Sequence, residues 1–222
     1  MYLKNGYFSG MKKKSSPHVL LGDVVASRNI ENRKQFEKKI NSVLQWATAR
    51  YSNLFTLPLK TWKGLDEIAA VVIQPQSIYP LISGINERLY PQQMRFVLAK
   101  GEIEKKRGAT DISQLDGEAF HKASALMAEL KKENFLFKCS SDGVFDTAFN
   151  NQVNAVWLLK ARFTEKQMKI YSLYAETANQ EEVAVKLKIT QQTVSKTMNA
   201  INGFGLLKLE KNINNWVMAN YN

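Results

Sequence analysis

Two adjacent carboxylates, Asp66 and Glu67, stand in the stretch TWKGLDEIAAVVI, residues 61–73. An extended run leads into Gly64, and a strongly apolar run follows the acids. A third acid, Asp23, lies towards the end of another apolar run, HVLLGDVVAS, residues 18–27. Carboxylate oxygens are hard ligands that suit Mg²⁺. If the fold sets Asp23 beside Asp66 and Glu67, the three form an acidic cluster for a divalent metal, with a nucleotide as its companion ligand. If it does not, GLDE is an ordinary solvated hairpin tip. The elements that carry the acids decide between the two.

HVLLGDVVAS reads as a buried strand, because its apolar residues run together without alternation. Ile30, Phe36, Ile40, Val43, Leu44 and Ala47 then recur at helical spacing, with Asn29 or Asn32 placed to cap the helix. LFTLPLKTW (54–62) is extended, and Pro58 marks an edge or an irregular start. DEIAAVVI (66–73) is a second buried strand, Ser77 to Leu89 a second helix, and MRFVLAKGEIE (94–104) a further strand. The order strand, helix, strand, strand, helix, strand is the split β-α-β unit doubled into a ferredoxin-like or palm-type sheet. In such a sheet the first strand lies beside the hairpin, which places Asp23 near Asp66 and Glu67. RGATDISQLD (107–116) reads as a loop, followed by a helix capped by Asp116 and running to Glu133, then a short strand, FLFKCS. A helix over 144–163 turns Phe145, Phe149, Val153, Val156, Trp157 and Leu159 inward and links two units.

The last 60 or so residues change character. Helices are expected over 164–176, 179–189 and 191–203, with Asn179 as a cap and Glu181 and Glu182 in the first turn it opens. FGLLKLEK and WVMANY, joined by NINN, read as a two-stranded hairpin. Within this part, QEEVAVKLKITQQTVSKTMN (180–199) has the pattern of a helix-turn-helix. Ala184 is the small residue where the two helices cross, and Val183, Leu187, Ile189, Val194 and Met198 supply the apolar contacts. Lys188 occupies the turn position usually held by Gly. Gln191, Gln192, Ser195, Lys196 and Asn199 then face outward. Gln and Asn can read adenine edges, and Lys and Ser can reach guanine or phosphate. A terminal hairpin would make this a winged variant, with Lys208 and Lys211 near the DNA backbone.

LLGDVVASR (20–28) together with KGLDEIAA (63–70) resembles the SatD family, whose members open on a strand ending in a GD-[IV]-V-x-S-R motif. Gly22, Asp23, Val24, Val25, Ser27 and Arg28 all match it. The resemblance covers about residues 17–205. The family's second motif looks like GDEFQ; here Leu65 stands in place of its Gly and Ala69 in place of its Gln. It implies a regulatory or stress-related bacterial protein, with a C-terminal helix-turn-helix. GLDEI is also similar to the GGDEF hairpin of diguanylate cyclases. Nucleotidyl cyclases and palm polymerases hold two divalent metals between an acid at the end of the first strand and acids at the hairpin tip. Carried over, that likeness makes Asp23 the first-strand acid and Asp66 or Glu67 the hairpin acid. Arg28, Lys63 and Lys100 would then face the phosphates.

Composition sets the outer limits. The chain has 222 residues and a net charge of +11, with +8 carried by residues 1–160 and +3 by 161–222. An anionic partner fits the excess, but the charge is not concentrated in the DNA-reading part. A single Cys and two His exclude a disulfide framework and a Cys/His zinc site. No apolar run approaches the roughly 20 residues of a membrane span. The expected protein is therefore cytoplasmic, of class α+β. It has a leader over 1–16, with Met1 or Met11 as the start, a palm-like unit over 17–141, a linking helix over 142–163 and an all-helical or winged unit over 164–222. The favoured reading is a transcriptional regulator that binds double-stranded DNA, its palm-like unit sensing a nucleotide or forming a homodimer. Two alternatives stand beside it. One is a metal-dependent nucleotidyl cyclase or nucleotidyltransferase using Asp23, Asp66 and Glu67; the other is a non-catalytic protein-interaction adaptor.

Overall fold

The structure, a computed structural model, describes residues 17–62, 64, 66–105, 111–141 and 143–221. Lys63 and Leu65 lie outside the described residues. The first six elements are β1 (His18–Val24), α1 (Arg33–Arg50), β2 (Phe55–Thr61), β3 (Glu67–Val72), α2 (Ile78–Leu89) and β4 (Met94–Lys100). They are followed by a small pair, β5 (Glu104–Lys105) with β6 (Leu115–Asp116), then α3 (Glu118–Glu133) and β7 (Phe137–Ser140). Helices complete the chain: α4 (Asp146–Lys160), α5 (Glu165–Thr177), α6 (Gln180–Leu187), α7 (Gln191–Ala200) and α8 (Gly203–Asn220).

The main sheet has the order β2-β3-β1-β4-β7. Its first four strands are antiparallel neighbours, which is the order expected of the doubled split β-α-β unit. β7 extends the sheet in parallel beside β4. Continuous apolar strands require cover on both faces, and both are covered. Leu20, Val24, Ile68, Ala70, Met94, Phe96 and Leu98 share a core with α1 and α2. Val19, Leu21, Ala69, Val71, Val97 and Ala99 pack under α3. Full burial of one such Leu, Ile or Phe side chain stabilises by about 1.5–3 kcal/mol.

Gly22 shows why this strand tolerates nothing larger at that place. A Cβ there would lie 2.7 Å from Ile68 Cγ1 and 3.1 Å from Met94 Cε. The outer edge of β7 is closed by side chains rather than by another strand. Asn154 of α4 accepts from the Leu136 and Phe137 amides and donates to the Phe137 carbonyl. One turn earlier, Asn150 does the same for the amide and carbonyl of Cys139. An exposed edge would otherwise be a template for pairing with another chain.

The structure corrects three local expectations. Residues 204–221 are not a hairpin: FGLLKLEKNINNWVMAN lies in the single helix α8. Leu206, Glu210, Ile213 and Val217 recur at helical spacing, and their burial outweighs the turn character of NINN. α3 is capped by Gly117 at φ 117°, not by Asp116, which belongs to β6. Phe145, which precedes α4, and Leu159 within it are about half exposed, while Lys160 is turned inward at 4% exposure.

α8 does not stand apart from the sheet. Its buried residues share one apolar core with α2, α4, α5, α6 and α7. At the centre of that contact lies a polar network. Lys160 Nζ donates to Glu210 Oε1 at 2.5 Å, to Ser83 Oγ at 3.1 Å and to Glu87 Oε1. Tyr79 and Tyr171 donate their hydroxyls to Glu210.

Candidate functional site

β1 and β3 pair so that Asp23 lies directly opposite Glu67, and β4 sets Arg95 on Asp23's other side. Cross-strand partners share a face, so these three residues belong to the face covered by α3. Asp23 is 7% exposed. Its Oδ1 lies 2.8 Å from Lys131 Nζ of α3, and its Oδ2 3.6 Å from Arg95 Nη1. A cavity of about 200 Å³ remains beside it, lined by Asp23, Glu67, Trp62, Ser124, Met127 and Lys131.

Asp66 does not join this group. It is one residue before Glu67 at the start of β3, and its Oδ2 accepts the Ser27 hydroxyl at 2.8 Å. Its carbonyl accepts the amide of Val24 at 2.9 Å. Ser27 and Asp66 thus tie the end of β1 to the hairpin tip, with the turn between Val24 and Ser27 passing through Ala26 in the left-handed region. The Ser of the first motif and the first acid of the second are, in this chain, partners of one another.

The phosphate-facing candidates disperse. Lys100 is placed opposite His18, at the far end of β1 from Asp23, because β4 runs antiparallel to β1. It is Arg95, at the start of β4, that reaches Asp23. Arg28 is exposed on a 3₁₀ turn over Ser27–Asn29, and Lys63 lies outside the described residues. Among the described residues no three His, Cys, Asp or Glu side chains gather as a metal would require. A divalent ion at Asp23 would have to displace two cations already paired with it. The described side chains therefore do not fit a two-metal centre. Arg95 could have been foreseen from the strand order, since an antiparallel β4 must begin where β1 ends. Lys131 carries no such signal, being one of several lysines on α3.

The second group of candidates stands together on α7. Asn179 caps α6 by accepting from the Glu181 and Glu182 amides. Lys188 ends α6 at φ 53°, and Ile189 N donates back to Ala184 O at 3.0 Å. Thr190 caps α7, accepting from Thr193 N at 3.1 Å. Val183, Ala184, Val194 and Met198 are buried between the two helices and their neighbours. Gln191, Gln192, Lys196 and Asn199 are exposed and Ser195 is half-buried. Gln191 Nε2 also donates to Gln180 Oε1 at 3.1 Å, tying the start of α7 to the start of α6. Lys208 and Lys211 are exposed too, but they project from α8 and not from a wing.

A cavity of about 630 Å³ opens at the loop after β1, lined by Val25, Ala26, Asn32, Phe36, Lys39 and Gln93 among others. Cys139 is not a nucleophile candidate: burial and the neighbouring Asp146 push its thiol well above the usual range. Among the described residues no helix is long and apolar enough to cross a membrane.

No curated protein matches the chain. Among solved structures, a bacterial light-regulated adenylyl cyclase is similar at 12% identity and a TM-score of 0.41, over 57% of this chain and 76% of that one. The SatD family profile matches residues 18–210, and the chain belongs to the SatD family.

Proposed function

We propose that this protein is a DNA-binding regulator in which α6 and α7 act as a helix-turn-helix and the palm-like sheet unit senses a ligand or forms a dimer. The observation that supports it is the polar face of α7. Gln191, Gln192, Lys196 and Asn199 are exposed on a helix whose other side is fixed by Val194 and Met198. A reading helix needs that combination: polar side chains at its N-terminal end to meet base edges, and a rigid mount behind them. Lys196 supplies phosphate charge, and Lys208 and Lys211 lie one helix further on.

The pairing of Asp23 with Lys131 and Arg95 weighs against the cyclase reading, since a catalytic carboxylate for metals must keep its oxygens available. The test is selection from random duplexes, followed by fluorescence anisotropy across a salt series. Binding that weakens steeply with salt, and further in Lys196→Ala, is expected. Absence of salt-dependent duplex binding by the intact protein would remove the proposal.

A further inference from the structure

We infer that the cleft between α2 and the α5–α6 helices is a binding site for a small organic anion with an apolar or aromatic body. The cleft is about 650 Å³ and draws its lining from both halves of the molecule. α1, α2 and the residue after it supply Lys39, Glu87, Arg88 and Tyr90; α5 supplies Glu165, Lys166, Met168, Lys169, Ile170, Ser172, Leu173 and Glu176; Leu187 and Ile189 come from the end of α6 and the turn before α7.

The charge of the cleft follows from which groups are already engaged. Glu87 is paired with Lys160, and Glu176 with Arg88, whose guanidinium also lies 3.4 Å from the Trp46 ring centroid. Lys39 donates to the carbonyls of Leu89 and Tyr90 at 2.7 and 2.9 Å. Burial holds its ammonium below the usual lysine range, against the attraction of Glu165. Among the described residues Lys166 and Lys169 have no carboxylate partner. Two of the three lining acids are thus paired, leaving Glu165 against Lys39, Lys166 and Lys169, an excess of cations that favours an anion. Met168, Ile170, Leu173, Leu187 and Ile189 provide the apolar part.

An occupant touching Leu187 and Ile189 would press on the turn that sets α7 against α6. The site is therefore placed to couple ligand binding to α7, whatever α7 binds.

The probe is 8-anilinonaphthalene-1-sulfonate, an aromatic sulfonate, titrated by fluorescence into the full chain at neutral pH without DNA. Saturable binding is expected, weakened about tenfold in the double variant Lys166→Glu/Lys169→Glu. The control Lys34→Glu/Lys38→Glu, on the exposed face of α1 and outside the cleft, should bind as the unmodified protein does. Melting curves establish that both variants fold. Failure of the probe to bind, or equal loss in both double variants, would overturn the site. Displacement of the probe by a short duplex of about 20 base pairs would also overturn it, by turning the lysines into DNA-backbone contacts. Because the titration contains no DNA, its outcome is separate from that of the DNA-binding proposal.

Discussion

Lys131 of α3 sits 2.8 Å from Asp23 of β1, covering the acid that the strand order had set beside Glu67. Arg95 completes a triplet of two cations and one nearly buried carboxylate. Removing the carboxylate leaves Arg95 charged beneath α3, where its Nε already lacks a hydrogen-bond partner. Asp23→Ala is therefore expected to destabilise the fold by about 3 kcal/mol, the cost of breaking one side of a buried pair. Lys131→Ala, which removes the more exposed partner, should cost about 1 kcal/mol. Urea unfolding of the three proteins measures both. In the same assay, millimolar Mg²⁺ or Mn²⁺ should leave the midpoint unmoved. A clear metal-dependent rise that Asp23→Ala abolishes would restore the metal reading.

The network around Lys160 makes stability depend on pH at both ends. Burial alone would raise Glu210, but the Lys160 charge and hydrogen bonds from Lys160, Tyr171 and Tyr79 hold it below the usual glutamate range. A depressed carboxyl contributes stability above its unfolded value, and that contribution disappears as pH falls through the folded one. Burial opposes the charge on Lys160, yet Glu87 and Glu210 raise it above the usual lysine range. Its contribution is complete below the unfolded lysine value and is lost as pH rises through the folded one. The network should thus be at full strength from about pH 5 to pH 10. Glu210→Gln is expected to cost about 3–5 kcal/mol at neutral pH and to flatten the acid limb of a plot of unfolding free energy against pH. An unchanged acid limb would show that Glu210 does not carry it.

Much of this architecture can be read from residue order. The uninterrupted apolar runs of β1 and β3 announce strands covered on both sides, and the alternation of strands and helices yields the antiparallel order without further information. Side chains whose place depends on distant packing are less accessible. Phe149, Val153 and Val156 already mark a stripe whose next member is Lys160, but a lysine at that position gives no sign of Glu87 and Glu210 until α2 and α8 are in place. The same holds for Asp23. The sequence brings it to Glu67, while Lys131 arrives from a helix more than a hundred residues later. α8 is hidden in the sequence for a local reason: Asn212, Asn214 and Asn215 have turn character, and only the core they cross makes them helical.

Lys196 and Gln192 should separate affinity from specificity. A lysine meeting phosphate contributes the same to every sequence, so Lys196→Ala is expected to reduce the slope of log affinity against log salt by about 1. Gln192 is exposed at the N-terminal end of α7, where the proposed reading helix would meet base edges. Gln192→Ala should weaken binding to a selected duplex by about 1–3 kcal/mol, with little change for a random one. Both quantities come from the same anisotropy titrations. Equal losses on selected and random duplexes for Gln192→Ala would place that side chain at the backbone.

Asn154 offers a test of the closed sheet edge. Its amide satisfies the Leu136 and Phe137 amides and the Phe137 carbonyl, all beside buried surface. Asn154→Ala leaves those groups without partners and should cost about 2–3 kcal/mol. Because β7 is then an open edge, the variant is also expected to self-associate as concentration rises. Sedimentation velocity detects this directly. A variant that is destabilised but stays monomeric would limit the role of Asn154 to hydrogen bonding within the fold.

Lys188 occupies a backbone position that favours glycine. Its φ of 53° ends α6 in the left-handed region, and the next amide, Ile189 N, reaches back to Ala184 O. That geometry is the common glycine-type helix stop, in which a Cβ adds strain. Lys188→Gly should relieve it and stabilise the protein by about 1 kcal/mol, less the extra chain entropy of glycine in the unfolded state. Lys188→Ala keeps the Cβ while removing the charge, so it separates backbone strain from electrostatics. The expected order of urea midpoints places Gly above Lys, with Ala no better than Lys. If Ala stabilises as much as Gly, the charge of Lys188 rather than its backbone is what burdens the turn between α6 and α7.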